Sequence, residues 1–286
     1  MQVTRLRIHP VKSFAGIDVD SAEVLPWGLA GDRRWGVVDA SGAQVTAREK
    51  NHMLALTAEL LADGGLLLGE RSGAGDPIRV DRPTDAAPIP VGHTRQGTAL
   101  PAGDEADAWL SARLGIEARL VWQPDPRERT VNPKNGGLPD DRLTLADAGP
   151  VLLASEASLA QLNAWTDEET PYLDMLRFRP NVVIDGDEPF AEDGWPFVDL
   201  GEVRFRIAKV CDRCVMTTID PETITRGKEP IRTLAKHRRW DGQTWFGVLM
   251  VPLSSGSIAV GDDVRPVTEA GAESPAVPNT AEKSPA

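Results

Sequence analysis

Glu202-Val203-Arg204-Phe205-Arg206-Ile207-Ala208-Lys209-Val210-Cys211-Asp212-Arg213-Cys214 is the stretch that sets the character of this chain. Polar and apolar side chains alternate from Glu202 to Ile207 with the two-residue period of a half-buried strand, and the run closes on the only two cysteines of the sequence. Two thiolates cannot complete a closed zinc site or hold an iron–sulfur cluster, which want four ligands. One is enough for a soft metal whose other ligands come from a cofactor. The spacing leaves a second reading open, in which Cys211 and Cys214 are small buried hydrophobes of the strand. Residues three apart in an extended chain face opposite ways, which is expected to keep Cys211 off any metal held by Cys214.

Working outward, the same short-strand pattern fills both halves. Val3 to Val11 alternates until Pro10 interrupts it, and Arg34 to Asp39 runs into the turn signal Ala40-Ser41-Gly42. Ala58 to Ala62 and Leu66 to Leu68 flank the turn Asp63-Gly64-Gly65, with Pro77 to Val80 a further strand; Leu54 to Leu61 also admits a helix. Asp104 to Leu114 is a helix, with Ala106, Trp109, Leu110 and Leu114 near helical spacing and Gly115 as its stop. Gln123 to Pro139, dense in Pro, Arg, Asn and Gly, reads as a linker or surface loop. Beyond it, Pro150 to Ala154 is a buried-strand pattern, and Ser155 and Ser158 are helix N-cap candidates before Leu159 to Trp165. Strands are expected at Asn181 to Ile184, Val215 to Ile219, Phe246 to Val251 and Asp263 to Pro266. The chain is therefore mainly β with some α, in two units at 1–122 and 123–268, and its Glu-, Ala-, Ser- and Pro-rich end, 269–286, is expected to be a disordered tail.

A length of 286 residues, 41% of them hydrophobic, supports a substantial core. The longest apolar stretch, Trp245 to Leu253, is far short of the ~20 residues that cross a bilayer, and the first residues lack the apolar core of a secretory signal. No membrane span and a cytoplasmic location are the expectation, with the cysteines reduced. A net charge of −12 argues against broad binding to nucleic acid or anionic membrane. Arg204 to Arg239 runs the other way, with ten Lys and Arg against four acids, a local balance of +6. That run is either a solvated, ion-paired face or a surface for an anion or an acidic protein.

Seven motifs, in order along the chain, carry a resemblance: His9-Pro10-Val11-Lys12-Ser13, Gly31-Asp32-Arg33-Arg34-Trp35, Val45-Thr46-Ala47-Arg48, Ser155-Glu156-Ala157-Ser158-Leu159, Arg177-Phe178-Arg179-Pro180-Asn181, Ala191-Glu192-Asp193-Gly194-Trp195 and Cys211-Asp212-Arg213-Cys214-Val215-Met216-Thr217-Thr218-Ile219-Asp220-Pro221. Together they resemble the MOSC-domain family, and within it the branch that begins with an N-terminal MOSC β-barrel domain and includes the amidoxime-reducing components. The resemblance implies an N-terminal MOSC-type β-barrel (1–122) and a MOSC β-barrel with peripheral helices (123–268), with a molybdenum cofactor between them: a pyranopterin bearing a dithiolene and a phosphate. It also implies that Cys214 ligates the metal. A soft thiolate suits molybdenum, and Arg213 is expected to favour the ligand-competent anion.

Carried over residue by residue, Lys12, Ser13 and Arg33 match positions that hold the phosphate and pterin, and a phosphate wants a point charge, a hydroxyl donor and a guanidinium fork. Arg179 and Asn181 match further pterin contacts, and Asp147, Ala148 and Gly149 fall on another contact segment. Relatives carry hydroxyls at the positions of Ala148 and Gly149, so contacts here are expected from backbone groups. Asp212 stands where Ser is common and brings a carboxylate near the metal. Thr46 and Arg48 are candidates for lining a substrate path.

The function implied is reduction of small N-hydroxylated substrates (amidoximes, hydroxylamines, N-hydroxylated bases) to amines or amidines by a molybdenum-dependent oxidoreductase. With neither an apolar anchor nor a ferredoxin domain in the sequence, electrons are expected from a separate donor, a flavoprotein, ferredoxin or cytochrome b5-like protein. The stretch Arg226 to Arg239 is a docking candidate for it, through Lys236, Arg238 and Arg239. Two alternatives stand beside this: a persulfide carrier for metal–sulfur cofactor assembly, and a non-catalytic cofactor store.

Overall fold

The computed structural model describes residues 1–93 and 95–268, so the tail expected to be disordered lies outside the described residues. The described chain is mainly β, with α-helices at Asp104–Leu114, Glu156–Ala164 and Ile231–His237. Its centre is a sheet whose strands follow the order Ile17–Val19, Val3–Ile8, Val182–Ile184, Val151–Ser155, Gln243–Pro252, Val203–Asp212, Phe197–Leu200 and Val264–Val267. All neighbours on this path are antiparallel except Val151–Ser155 and Val182–Ile184, which run parallel across the helix Glu156–Ala164. A five-stranded sheet built around Trp35–Asp39 and Ala118–Trp122, and a three-stranded sheet at Leu56–Leu60, Leu66–Glu70 and Ile78–Val80, belong to the first half.

Chain order and spatial order part company at the start of the molecule. Val3–Ile8 and Ile17–Val19 join the sheet of the second half, and Ser21–Leu25 pairs with Gly256–Ala259. Val3, Leu6, Ile8, Ala22, Val24 and Leu29 are accordingly buried in one core with Val151, Phe205, Val248 and Met250. A separate core gathers Trp35, Met53, Leu66, Trp109 and Leu120. The site described below lies where segments of both halves meet.

Most local expectations hold. The helix Asp104–Leu114 ends on Gly115 in the left-handed conformation, and Ser155 caps the helix Glu156–Ala164 by accepting the Ser158 N–H. Ser158 is not a cap: it is buried, and its hydroxyl donates to Glu192. Leu54 to Leu61 resolves into a short 3-10 turn, Asn51–Ala55, and the strand Leu56–Leu60. The strand expected at Val215 to Ile219 is instead a 3-10 turn, Val215–Thr218. Thr217 and Thr218 turn their hydroxyls back onto the carbonyls of Cys214 and Val215, and these local bonds outcompete the β preference of the sequence. Nor is Gln123 to Pro139 a free linker, because Arg129 and Val131 are buried and Gly136 packs on the backbone of Ala208.

Candidate active site

The strand Val203–Asp212 pairs with Gln243–Pro252 through two register shifts, one between Ile207 and Lys209 and one between Val210 and Asp212. Each extra residue breaks the alternation, so Ile207-Ala208 and Val210-Cys211 are consecutive buried pairs. This changes the outlook of the cysteines. Cys211, expected to face away from the site, lines the same cavity as Cys214, because the second bulge re-aims it. Cys211 is buried and Cys214 exposed at the start of the 3-10 turn.

The cavity, about 200 Å³, is walled by segments of both halves. All of the positions expected to hold a cofactor lie on it: Lys12, Ser13, Arg33, Asp147, Ala148, Gly149, Arg179, Asn181, Asp212 and Cys214. Arg48, Arg177 and Arg213 join them, giving six cations against the two carboxylates Asp147 and Asp212. In a protein of net charge −12 such a wall marks a site for an anion. Three of the lining residues, Ser13, Arg33 and Arg179, hold positive φ angles of 70°, 48° and 55°. Non-glycine residues in that conformation store strain and are concentrated at ligand sites.

Lys12 is buried, and its Nζ donates to the Leu145 carbonyl at 2.7 Å and pairs with Asp147. Burial pushes its pKa down to about 8, with Asp147 pulling the other way. Burial likewise opposes the charge on Asp147, but Lys12 and Arg48 outweigh it and hold the carboxyl well below the usual range. Arg33 donates to Asp32 at 2.6 Å, to Asn181 Oδ1 at 3.2 Å and to the Arg179 carbonyl at 3.3 Å. Asn181 also accepts from the Leu152 N–H and donates to the Arg7 carbonyl and to Asp32. Its two donors and two acceptor positions are thus all used within the chain, so its side chain serves to clamp Arg33 and the two halves together.

Arg213 does not serve Cys214 as expected. Its guanidinium donates to Cys211 Sγ at 2.9 Å and to the Phe178 carbonyl, while its backbone is pinned to Thr244. The cation that bears on Cys214 is Arg48: burial opposes its charge, but Asp147 and the hydrogen-bonded Cys214 raise its pKa above the ordinary value. Thr46 is buried off the cavity, its hydroxyl donating to Glu49 and accepting the Arg48 N–H, and so shapes the turn that presents Arg48.

The basic run Arg204 to Arg239 largely dissolves in three dimensions. Arg204, Arg206, Lys209, Arg232 and Arg238 are paired with Asp199, Asp141, Asp212, Glu229 and Asp193, and Arg238 is buried. Among the described residues, only Lys228, Lys236 and Arg239 of that run are exposed without a side-chain partner. Arg238 cannot belong to a docking face.

The profile of the MOSC N-terminal beta barrel domain matches residues 1–117, and that of the MOSC domain matches residues 140–265. Mitochondrial amidoxime-reducing component 1 of Homo sapiens is 32% identical over 281 residues, covering 92% of this chain and 82% of that protein. The chain belongs to the MOSC-domain family. Molybdenum cofactor sulfurase of Danio rerio is 30% identical, over 92% of this chain but 34% of that protein. Among solved structures, the YUAD protein from Bacillus subtilis is similar over 92% of this chain and 93% of that one, at 12% identity and a TM-score of 0.41.

The residues of this MOSC protein fit a phosphorylated, metal-bearing cofactor. Arg177 Nε and Arg179 Nη2 are buried without an acceptor among the described residues, and an anionic ligand would supply one. The backbone N–H groups from Ala146 to Gly149 also donate to no acceptor among the described residues, so this segment offers main-chain donors where side-chain hydroxyls are absent. No three His, Cys, Asp or Glu side chains among the described residues cluster to hold a metal, so a metal at Cys214 needs ligands brought by another molecule.

Proposed function

We propose that this MOSC protein binds a molybdenum cofactor and reduces N-hydroxylated compounds to the corresponding amines or amidines, in the cytoplasm, with electrons from a separate redox protein. The observation that carries the reading is one exposed thiol, Cys214, at a cavity walled by six cations. The relatives named amidoxime-reducing components support the substrate class.

In this reading Cys214 is the protein ligand of the metal, with the guanidinium of Arg48 hydrogen-bonded beside it. Lys12, Ser13 and Arg33 receive the phosphate, with the Ala146–Gly149 backbone and Arg179 as further donors. The cofactor, when bound, supplies two-electron chemistry at a metal beside Cys214. Overall, the N–O bond of the substrate breaks, two electrons and two protons are taken up, and the oxygen leaves as water. The protein's part is to place the cofactor: the buried Asp32–Arg33–Asn181 hydrogen bonds and the Thr217 hydroxyl on the Cys214 carbonyl fix the phosphate end and the metal end separately. Among the described residues no helix is long and apolar enough to cross a membrane.

The test is elemental analysis paired with turnover. Wild-type protein should hold close to one molybdenum per chain and reduce benzamidoxime with reduced methyl viologen, and Cys214→Ala should lose both while Cys211→Ala retains the metal. Metal-free protein carrying labile sulfur would replace the reductase with a persulfide carrier, and metal without turnover would leave a cofactor store.

A further inference from the structure

Asp212 is the carboxylate on the cavity wall that keeps an oxygen without a partner among the described residues. Asp147, the other, is held between Lys12 and Arg48. Asp212 meets a single charged partner, Lys209 at 3.4 Å on Oδ1, and that ammonium also lies 5.1 Å from the centre of the Trp245 ring. Its Oδ2 has no hydrogen-bond partner among the described residues, and the side chain is 38% exposed. An anionic cofactor gives no reason for a carboxylate on its wall. A ligand rich in N–H donors does, since a carboxylate takes two parallel N–H bonds from a planar diamino group. Asp212 is also two residues from Cys214, next to the proposed reaction centre.

We infer that Asp212 is a substrate-binding residue that selects N-hydroxylated amidines and guanidines, whose C–NH2 group and cationic products it pairs with, over N-hydroxylated compounds that present a carbonyl instead. The inference rests on the proposed reductase reading for its substrate and extends it to a specificity determinant. Other lining groups fit this division of labour: Arg213 is turned inward onto Cys211 and the Phe178 carbonyl, which leaves Asp212 as the charged group of the Cys211–Cys214 segment open to a ligand.

The test compares benzamidoxime with benzhydroxamic acid, which share the ring and the N–OH group and differ in an amino group against a carbonyl. For wild type, Asp212→Asn and Asp212→Glu, kcat/KM per bound molybdenum is measured for both compounds with reduced methyl viologen, together with benzamidine binding by calorimetry. Asp212→Asn should lower the ratio of amidoxime to hydroxamate kcat/KM roughly 10–100-fold and weaken benzamidine by a similar factor, the loss of a charge-assisted pair. Asp212→Glu should recover part of both. An amidoxime-to-hydroxamate ratio unchanged within about twofold overturns the inference while leaving the reductase reading intact. If molybdenum-loaded wild type reduces neither compound, the reductase reading fails instead, and calorimetry alone decides: equal benzamidine affinity in wild type and Asp212→Asn, or no binding by either, overturns the role of Asp212.

Discussion

Lys12 carries its ammonium through a buried wall to meet Asp147, and its depressed pKa of about 8 makes that burial measurable. In the unfolded chain a lysine titrates near 10.4. Between the two values the unfolded state holds a proton that the folded state has released, so this group alone makes stability rise with pH across that window. From pH 7.5 to 9.5 the gain should be about 2 kcal/mol, read as a difference in urea midpoints, and Lys12→Met should abolish it. A wild-type curve as flat as that of Lys12→Met would show that Asp147 fully offsets the burial. The residue types at the site were legible in the sequence: Lys12, Ser13, Arg33 and Cys214 all stand in the motifs. Their partners were not. Lys12 finds Asp147 from 135 positions away and Arg33 finds Asn181 from 148, and no local pattern records such pairs. Arg213, adjacent in sequence to Cys214, attends to Cys211, whereas Arg48 from the first half attends to Cys214.

At the scale of elements, the strand carrying the cysteines is shaped by what packs behind it. Gly136, in the segment expected as a linker, has φ of +74°, and a Cβ there would sit 2.0 Å from the Ala208 carbonyl oxygen, while its own carbonyl accepts from Arg206. Gly136→Ala should therefore cost about 3 kcal/mol, combining left-handed strain with a backbone clash that displaces the strand. Gly115 ends its helix at φ of +63° with open space where a Cβ would stand, nothing lying within 4 Å, so Gly115→Ala should cost only about 1 kcal/mol. Denaturant melts of the two variants check the contrast, and equal losses would mean that Gly136 has room its surroundings do not suggest. The helix at Asp104–Leu114 was readable because its period and its stop signal are local. The turn at Val215–Thr218 was not, because two threonine hydroxyls reverse what β-branched composition implies.

For the whole molecule, the consequence of the topology is that the second half does not contain the whole of its sheet. Val182–Ile184 is covered by Val3–Ile8, and Gly256–Ala259 is paired with Ser21–Leu25. A fragment of residues 123–268 would expose both strand edges and lose six core side chains from Val3 to Leu29. It should elute as aggregate on size exclusion and show no cooperative melt, and coexpression with 1–122 should restore a soluble complex; a monomeric fragment with a sharp transition would contradict this. The two-residue and helical periods of the sequence determined that the chain is mainly β with few helices, and its ordered motifs determined the family, because such signals are written in neighbouring residues. The tertiary structure alone decided that strands from the first 29 residues complete the second half, that the basic run Arg204 to Arg239 is mostly neutralised, and that Asp212 keeps a free oxygen at the cavity. Those outcomes depend on which groups arrive from distant parts of the chain, and charge pairing and sheet edges are satisfied by position in space rather than by position in sequence.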